Sequence, residues 1–230
     1  MKPRRICYAP QVMRFALLLV SGALVACQSD AGPPADPLAG SGNVVQSDAD
    51  YPTDDIGTAV GNVIPNFCFP GFVDPVASME KVEICLSNFY NPTGDGTYGE
   101  DDPFPDGTPL PKLVVIDVSG KWCSPCKYEA QHVLPGVWSS LGPKGLLLLA
   151  VLADGSKPTV PATLEDLAQW SAAFQPRYPN VIDPKYQMGA LFDSSQFPAF
   201  FIVDATTMKI VQFVGGKPPE TFWEKVEELL

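Results

Sequence analysis

Two cysteines, Cys123 and Cys126, sit two residues apart in the stretch DVSGKWCSPCKYEAQHV (117–133) of this 230-residue chain. A pair at that spacing can cycle between dithiol and disulfide, supply half of a metal site, or belong to a structural disulfide framework. The residues around it favour the first. LVVIDVS (113–119) reads as an apolar strand, and a helical stretch begins at the cysteines. A helix start has free N–H groups and a partial positive charge, and both stabilise a thiolate. Cys123, in the first turn, is therefore the expected nucleophile with a lowered pKa. Cys126, one turn on, is placed to attack a mixed disulfide and release the partner. Pro125 fixes the backbone between them, and Trp122 offers a flat surface to a partner.

Other chemistries fit less well. Tetrahedral zinc needs about four ligands. The chain has no second Cys-X-X-Cys and a single histidine, His132, so no metal is expected. A cysteine hydrolase needs a histidine partner. His132 follows Cys123 by nine residues on the same expected helix, about half a turn round, and faces away. Two thiolates alone can hold Cu(I), which keeps a copper-binding protein as the alternative function. Asp117, six residues before Cys123 in an apolar strand, is either a cap for a backbone group or an acid assisting proton transfer. Its apolar flanks favour the second.

The elements that position these residues begin after an export signal. Lys2, Arg4, Arg5 and Arg14 precede a 12-residue apolar run, Phe15 to Ala26, too short to span a bilayer and suited to a signal-peptide core. The run ends Leu24-Val25-Ala26-Cys27, which resembles a bacterial lipobox. The expected organisation is a signal at 1–26, a lipidated disordered tether at 27–56 and a globular domain at 57–230. The tether is rich in Asp, Gly, Pro and Ser, and its end-to-end distance is roughly 30 Å. The chain carries −11 net charge, and removal of residues 1–26 leaves −15. That acidity argues against nucleic acid and against electrostatic binding to anionic lipid, so membrane attachment would come from the lipid on Cys27. Gln28, not Asp, follows Cys27, which favours the outer membrane, facing the periplasm. Four cysteines remain after Cys7 and Cys27. In an oxidising compartment they suggest two pairs. Three pairings are formally open, and spacing favours Cys68–Cys85 as a structural staple with Cys123–Cys126 as the redox pair.

Within the domain, NVIPNFCFPGF and KVEICLSNFY read as a hairpin carrying Cys68 and Cys85. The acidic Gly/Pro stretch at 91–112 reads as a solvated loop, because its spacing does not fit a calcium loop. The helix after the cysteines should kink at Pro135. GLLLLAVLAD (145–154) suits a central parallel strand. TLEDLAQWSAAF (163–174) reads as an amphipathic helix capped by Thr163 and Asp166. PAFFIVD and KIVQFVGG form two strands around a turn at 205–208, and PPETFWEKVEELL forms the last helix. This order implies an α/β fold with a mixed central sheet between helices.

These residues resemble the thioredoxin superfamily. WCSPC looks like its WCxPC active site, and Asp117 occupies the position of its buried acid. FPAFFIVDATTMKIVQFVGG is similar to its cis-proline, strand, turn and strand segment. The resemblance makes Pro198 the cis-proline and places Trp122, Phe197 and Pro198 on a substrate-docking surface. CKYE, with Glu129, and the N-terminal hairpin resemble the TlpA-like redoxins, which carry an insert matching roughly 155–184. Gln131 stands where those proteins have a proline, the 91–112 loop is longer, and Cys68–Cys85 is not a general feature of them. A peroxiredoxin would carry a threonine where Gly120 stands. The resemblance implies a thiol–disulfide oxidoreductase with no prosthetic group. It would act on exported protein thiols and disulfides, as a reductase recycled by a membrane or periplasmic electron donor.

Overall fold

The computed structural model describes residues 50–230. The expected signal, Cys27 and most of the tether lie outside the described residues. Seven strands form a single sheet in the order β2-β1-β5-β4-β3-β6-β7. β1 (Cys68–Phe72) and β2 (Val82–Cys85) form the hairpin. The centre is β3 (Leu113–Gly120) and β4 (Leu146–Asp154), parallel and buried on both faces. Their near-continuous apolar runs follow from that double burial. β6 (Ala199–Asp204) and β7 (Lys209–Gly215) continue the sheet antiparallel.

Alternation along the strands divides the core cleanly. On β3, Leu113 and Val115 face one way and Val114, Ile116 and Val118 the other. The first face receives the four α-helices: α1 (Ser124–Tyr128), α2 (Leu134–Leu141), α3 (Leu164–Phe174) and α4 (Glu220–Leu229). The second is covered by irregular chain, including Phe89, Tyr98, Phe104 and Leu110 from the hairpin and the long acidic loop. That loop is thus a lid over half the core, held by Asn91, whose Nδ2 donates to Pro111 O at 2.9 Å. The cover over this face also includes chain before residue 57. Tyr51 is buried, and its hydroxyl donates to Ile64 O at 2.7 Å.

Two local features differ from the sequence reading. A three-residue strand, β5 (Asn180–Ile182), lies inside the stretch read as an insert and joins the hairpin to β4. The helix after the cysteines meets Pro135 through a π turn at Glu129–Val133, in which Leu134 N–H donates to Glu129 O. Pro135 has no N–H to give and would crowd a regular turn. A wider turn, one residue longer per hydrogen bond, accommodates it. The Thr163–Asp166 capping box on α3 forms as expected. Among the described residues, no helix is long and apolar enough to cross a membrane.

Candidate active site

The C-terminal end of β3 delivers the chain to the cysteines through Gly120. A Cβ there would lie 2.9 Å from Trp122 Nε1 and 3.3 Å from Asp154 Cβ, so the glycine leaves room for the indole. Cys123 caps α1, and its Sγ accepts the Cys126 N–H at 3.2 Å. The two are joined as a disulfide with Cα atoms 5.3 Å apart. Cys123 is only 2% exposed, while Trp122 and Tyr128 beside it are 36% and 49% exposed. The sulfurs therefore sit in a rim of accessible aromatic surface.

Beneath them lie two acids. Asp117 is buried on β3, pointing to the helical face, and accepts Ser119 Oγ at 3.0 and 3.2 Å. Burial pushes its pKa up to about 7, the Ser119 hydrogen bond opposes this, and the Glu129 carboxylate adds to it. Glu129 lies in the π turn, one turn beyond Cys126. It is 1% exposed, and neither carboxylate oxygen has a hydrogen-bond partner among the described residues. Its pKa is also raised by burial, with Lys217 pulling the other way. Burial and the neighbouring Glu129 charge thus both favour the protonated form of Asp117.

Phe197 and Pro198 enter from the start of β6. Their peptide bond is cis. Phe197 packs edge-on to Trp122, with ring centroids 6.1 Å apart, and against the buried cluster that contains both cysteines. Cys123, Cys126, Phe197 and Trp122 thus come together, and Asp117 is linked to their helix through the Glu129 charge, with Cys68 and Cys85 apart from them. Those two are joined as a disulfide across β1 and β2. His132 is exposed and lies against the Tyr128 ring at 4.9 Å, away from the sulfurs.

Sequence reading missed Asp154. This buried carboxylate at the end of β4 accepts Trp122 Nε1 at 2.8 Å, Thr159 N at 3.0 Å and the Tyr186 hydroxyl at 2.8 Å. It fixes the indole and ties it to the segment after β5. The available signal was its place: an acid ending a central apolar strand stands at the edge where α/β sheets bind ligands.

This architecture has known counterparts. A protein assigned as the thiol:disulfide interchange protein DsbE of Chlorobium tepidum superposes with a TM-score of 0.50 at 22% identity, covering 75% of this chain and 96% of that one. A protein assigned as a disulfide isomerase of Bacteroides thetaiotaomicron gives 0.52 at 18% identity, covering 75% and 91%. The chain has a thioredoxin-like fold. The reduced 2-Cys peroxiredoxin of Plasmodium vivax shares it, with a TM-score of 0.50 at 14% identity over 74% of this chain and 81% of that one. No family model matches the sequence, and no curated protein matches it. At these identities the likeness is one of fold, and the thioredoxin-like chain's chemistry rests on its own residues.

Proposed function

We propose that this protein is an exported, lipid-anchored thiol–disulfide oxidoreductase acting as a reductase on protein disulfides. The observation that carries the reading is the Cys123–Cys126 cystine at a helix start above the buried Asp117–Glu129 pair. In the reduced state the Cys123 thiolate attacks one sulfur of a substrate disulfide. The substrate's other sulfur leaves and takes up a proton. Asp117, with its pKa near 7, accepts the proton of Cys126. The Cys126 thiolate then attacks Cys123 Sγ, the second substrate sulfur leaves as a thiol, and the Cys123–Cys126 disulfide is restored. A donor dithiol returns two electrons to begin again. Trp122, Phe197 and Pro198 form the surface on which the substrate lies. The leader ending in Leu-Val-Ala-Cys27 supports export and lipidation, with the domain facing the periplasm from the outer membrane.

The deciding measurement is the reduction potential of Cys123–Cys126 against glutathione. A value near about −270 mV supports a reductase, and one near about −120 mV makes the protein an oxidant. Stoichiometric tight Cu(I) binding by the reduced form, with negligible disulfide reduction, would replace the oxidoreductase reading by a copper carrier.

A further inference from the structure

An open groove of about 280 Å³ runs between Trp122 and α3. Trp122, Trp170 and Phe174 wall it, and Lys121, Lys127 and Gln169 line its rim. Phe197 and Pro198 take no part in it. Its floor is shared with the redox pair, because Trp170 belongs to the buried cluster that holds Cys123 and Cys126, and Phe174 packs against that cluster.

The walls are already fixed. Trp122 is tied to Asp154, and the Trp170 and Phe174 rings meet edge-on at 4.5 Å. Lys121 is neutralised by Asp166 at 2.7 Å. Glu165 is engaged by the Gln169 side-chain amide at 3.3 Å. Lys127 differs. It is exposed and has no hydrogen-bond or ion-pair partner for its ammonium group among the described residues. None of the groove's lining residues carries a carboxylate. On a chain of net charge −11, this is a local reversal of sign beside the reactive sulfur. The Debye length at physiological ionic strength is about 8 Å, so a segment seated here feels Lys127 more than acids spread over the rest of the surface. Fixed aromatic walls with an unpaired cation form an anchor site for a mixed apolar and anionic segment.

We propose that this groove selects the protein substrate, an extended segment whose disulfide cysteine is flanked by an acidic residue and an aromatic one. The acid meets Lys127 and the ring lies between Trp122 and Phe174. The inference rests on the thiol–disulfide reading above.

The test uses the reduced full chain carrying Cys126→Ser, which stops at the mixed disulfide. Peptides with a thionitrobenzoate-capped cysteine flanked by Glu and Phe, Lys and Phe, or Glu and Gly are compared. Cys123 attacks the peptide sulfur, the capping S–S bond breaks, and the released thionitrobenzoate is read by its colour. Each rate is divided by that with neutral dipyridyl disulfide, which removes changes in thiolate reactivity. The Glu–Phe peptide should react about tenfold faster than the Lys–Phe peptide, a difference that shrinks near 1 M salt where the Debye length is about 3 Å. Lys127→Glu should invert the preference, and Phe174→Ala should erase the advantage of Phe over Gly. Net charge alone predicts the opposite order, since an acidic chain repels acidic peptides. Equal rates, a preference for lysine, or a preference unchanged by Lys127→Glu overturns the inference while the oxidoreductase reading stands. Failure to react with dipyridyl disulfide overturns both.

Discussion

Cys123–Cys126 joins residues three positions apart at the head of a helix, whereas Cys68–Cys85 ties two paired strands through residues 17 positions apart. The first heads a helical run continuing through Leu141, whose aligned peptides favour negative charge at its start. Cys85 precedes only a single 3₁₀ turn, Leu86–Phe89. Beside the first pair, Lys127 stands on the groove rim and Lys217 lies over the Tyr128 ring, and burial raises the pKa of both acids, Asp117 and Glu129. Beside the second, a Glu83 carboxylate oxygen lies within 4.8 Å of both sulfurs. That charge opposes formation of a thiolate. The neighbouring backbone is pinned as well: Cys85 N–H donates to Asn88 Oδ1 at 2.8 Å, and Gln187 Nε2 donates to Cys68 O at 2.9 Å. The same bond becomes reactive or inert according to the field in which its thiolates would form.

The sharpest way to break this contrast is to exchange the roles. Cys123→Ser should lower disulfide turnover at least roughly a thousandfold. A Cys68→Ala/Cys85→Ala variant should keep turnover within about twofold per folded molecule, read in a coupled dithiothreitol assay. If the double variant is the inactive one, the assignment of the two pairs is reversed.

A second contrast concerns the acids. Asp117 has a folded pKa near 7, above its ordinary value of 3.8. Between those values the folded state holds a proton that the unfolded state has released, so stability falls as pH rises from about 4 to about 7. The loss is on the order of 4 kcal/mol. Urea titrations should show this decline in the wild type and a flatter profile in Asp117→Asn, which should also lose a turnover inflection near pH 7. A Glu83→Gln variant should not change that slope.

Loss of the hairpin staple comes next. Closing a loop of this size restricts the unfolded chain by about 3 kcal/mol, so Cys68→Ala/Cys85→Ala should lower unfolding free energy by about that amount. The smallest effect is electrostatic. Glu83→Gln should make Cys68–Cys85 more readily reduced by dithiothreitol, by less than about tenfold, with no change at Cys123–Cys126.

The Cys123–Cys126 pairing was legible because its signal is local: residue types at fixed spacing, between an apolar strand and a helix start. The hairpin was legible too, since two short strand-like runs each carried one of the two cysteines. β5 was not. Asn180–Ile182 is three residues between prolines, and it becomes a strand only because β1 and β4 lie on either side of it. The lid formed by 91–112 was hidden for a similar reason. Its glycines, prolines and acids read as solvated loop, while Tyr98, Phe104 and Leu110 are the few residues that dock it. Asp154 and Tyr186 are 32 positions apart, and no sequence period links them. Glu129 was visible as a position, but its burial without a partner depends on how the π turn rotates it.

That turn works as a phase shift. Each residue of a regular helix advances about 100°, so a helix locked to the cysteines at one end cannot freely choose which side it offers the sheet at the other. The wide turn at Glu129–Val133 uncouples the two demands. Cys126 and Ala130 keep the angle set by the redox pair, while Leu134 and Leu141 are re-indexed to suit the core. Glu129, at the seam, is turned inward by the same adjustment. Removing one residue, such as Gln131, would restore regular winding with Leu134 and Leu141 still on the side of Cys126, and would take away the seam at which Glu129 sits.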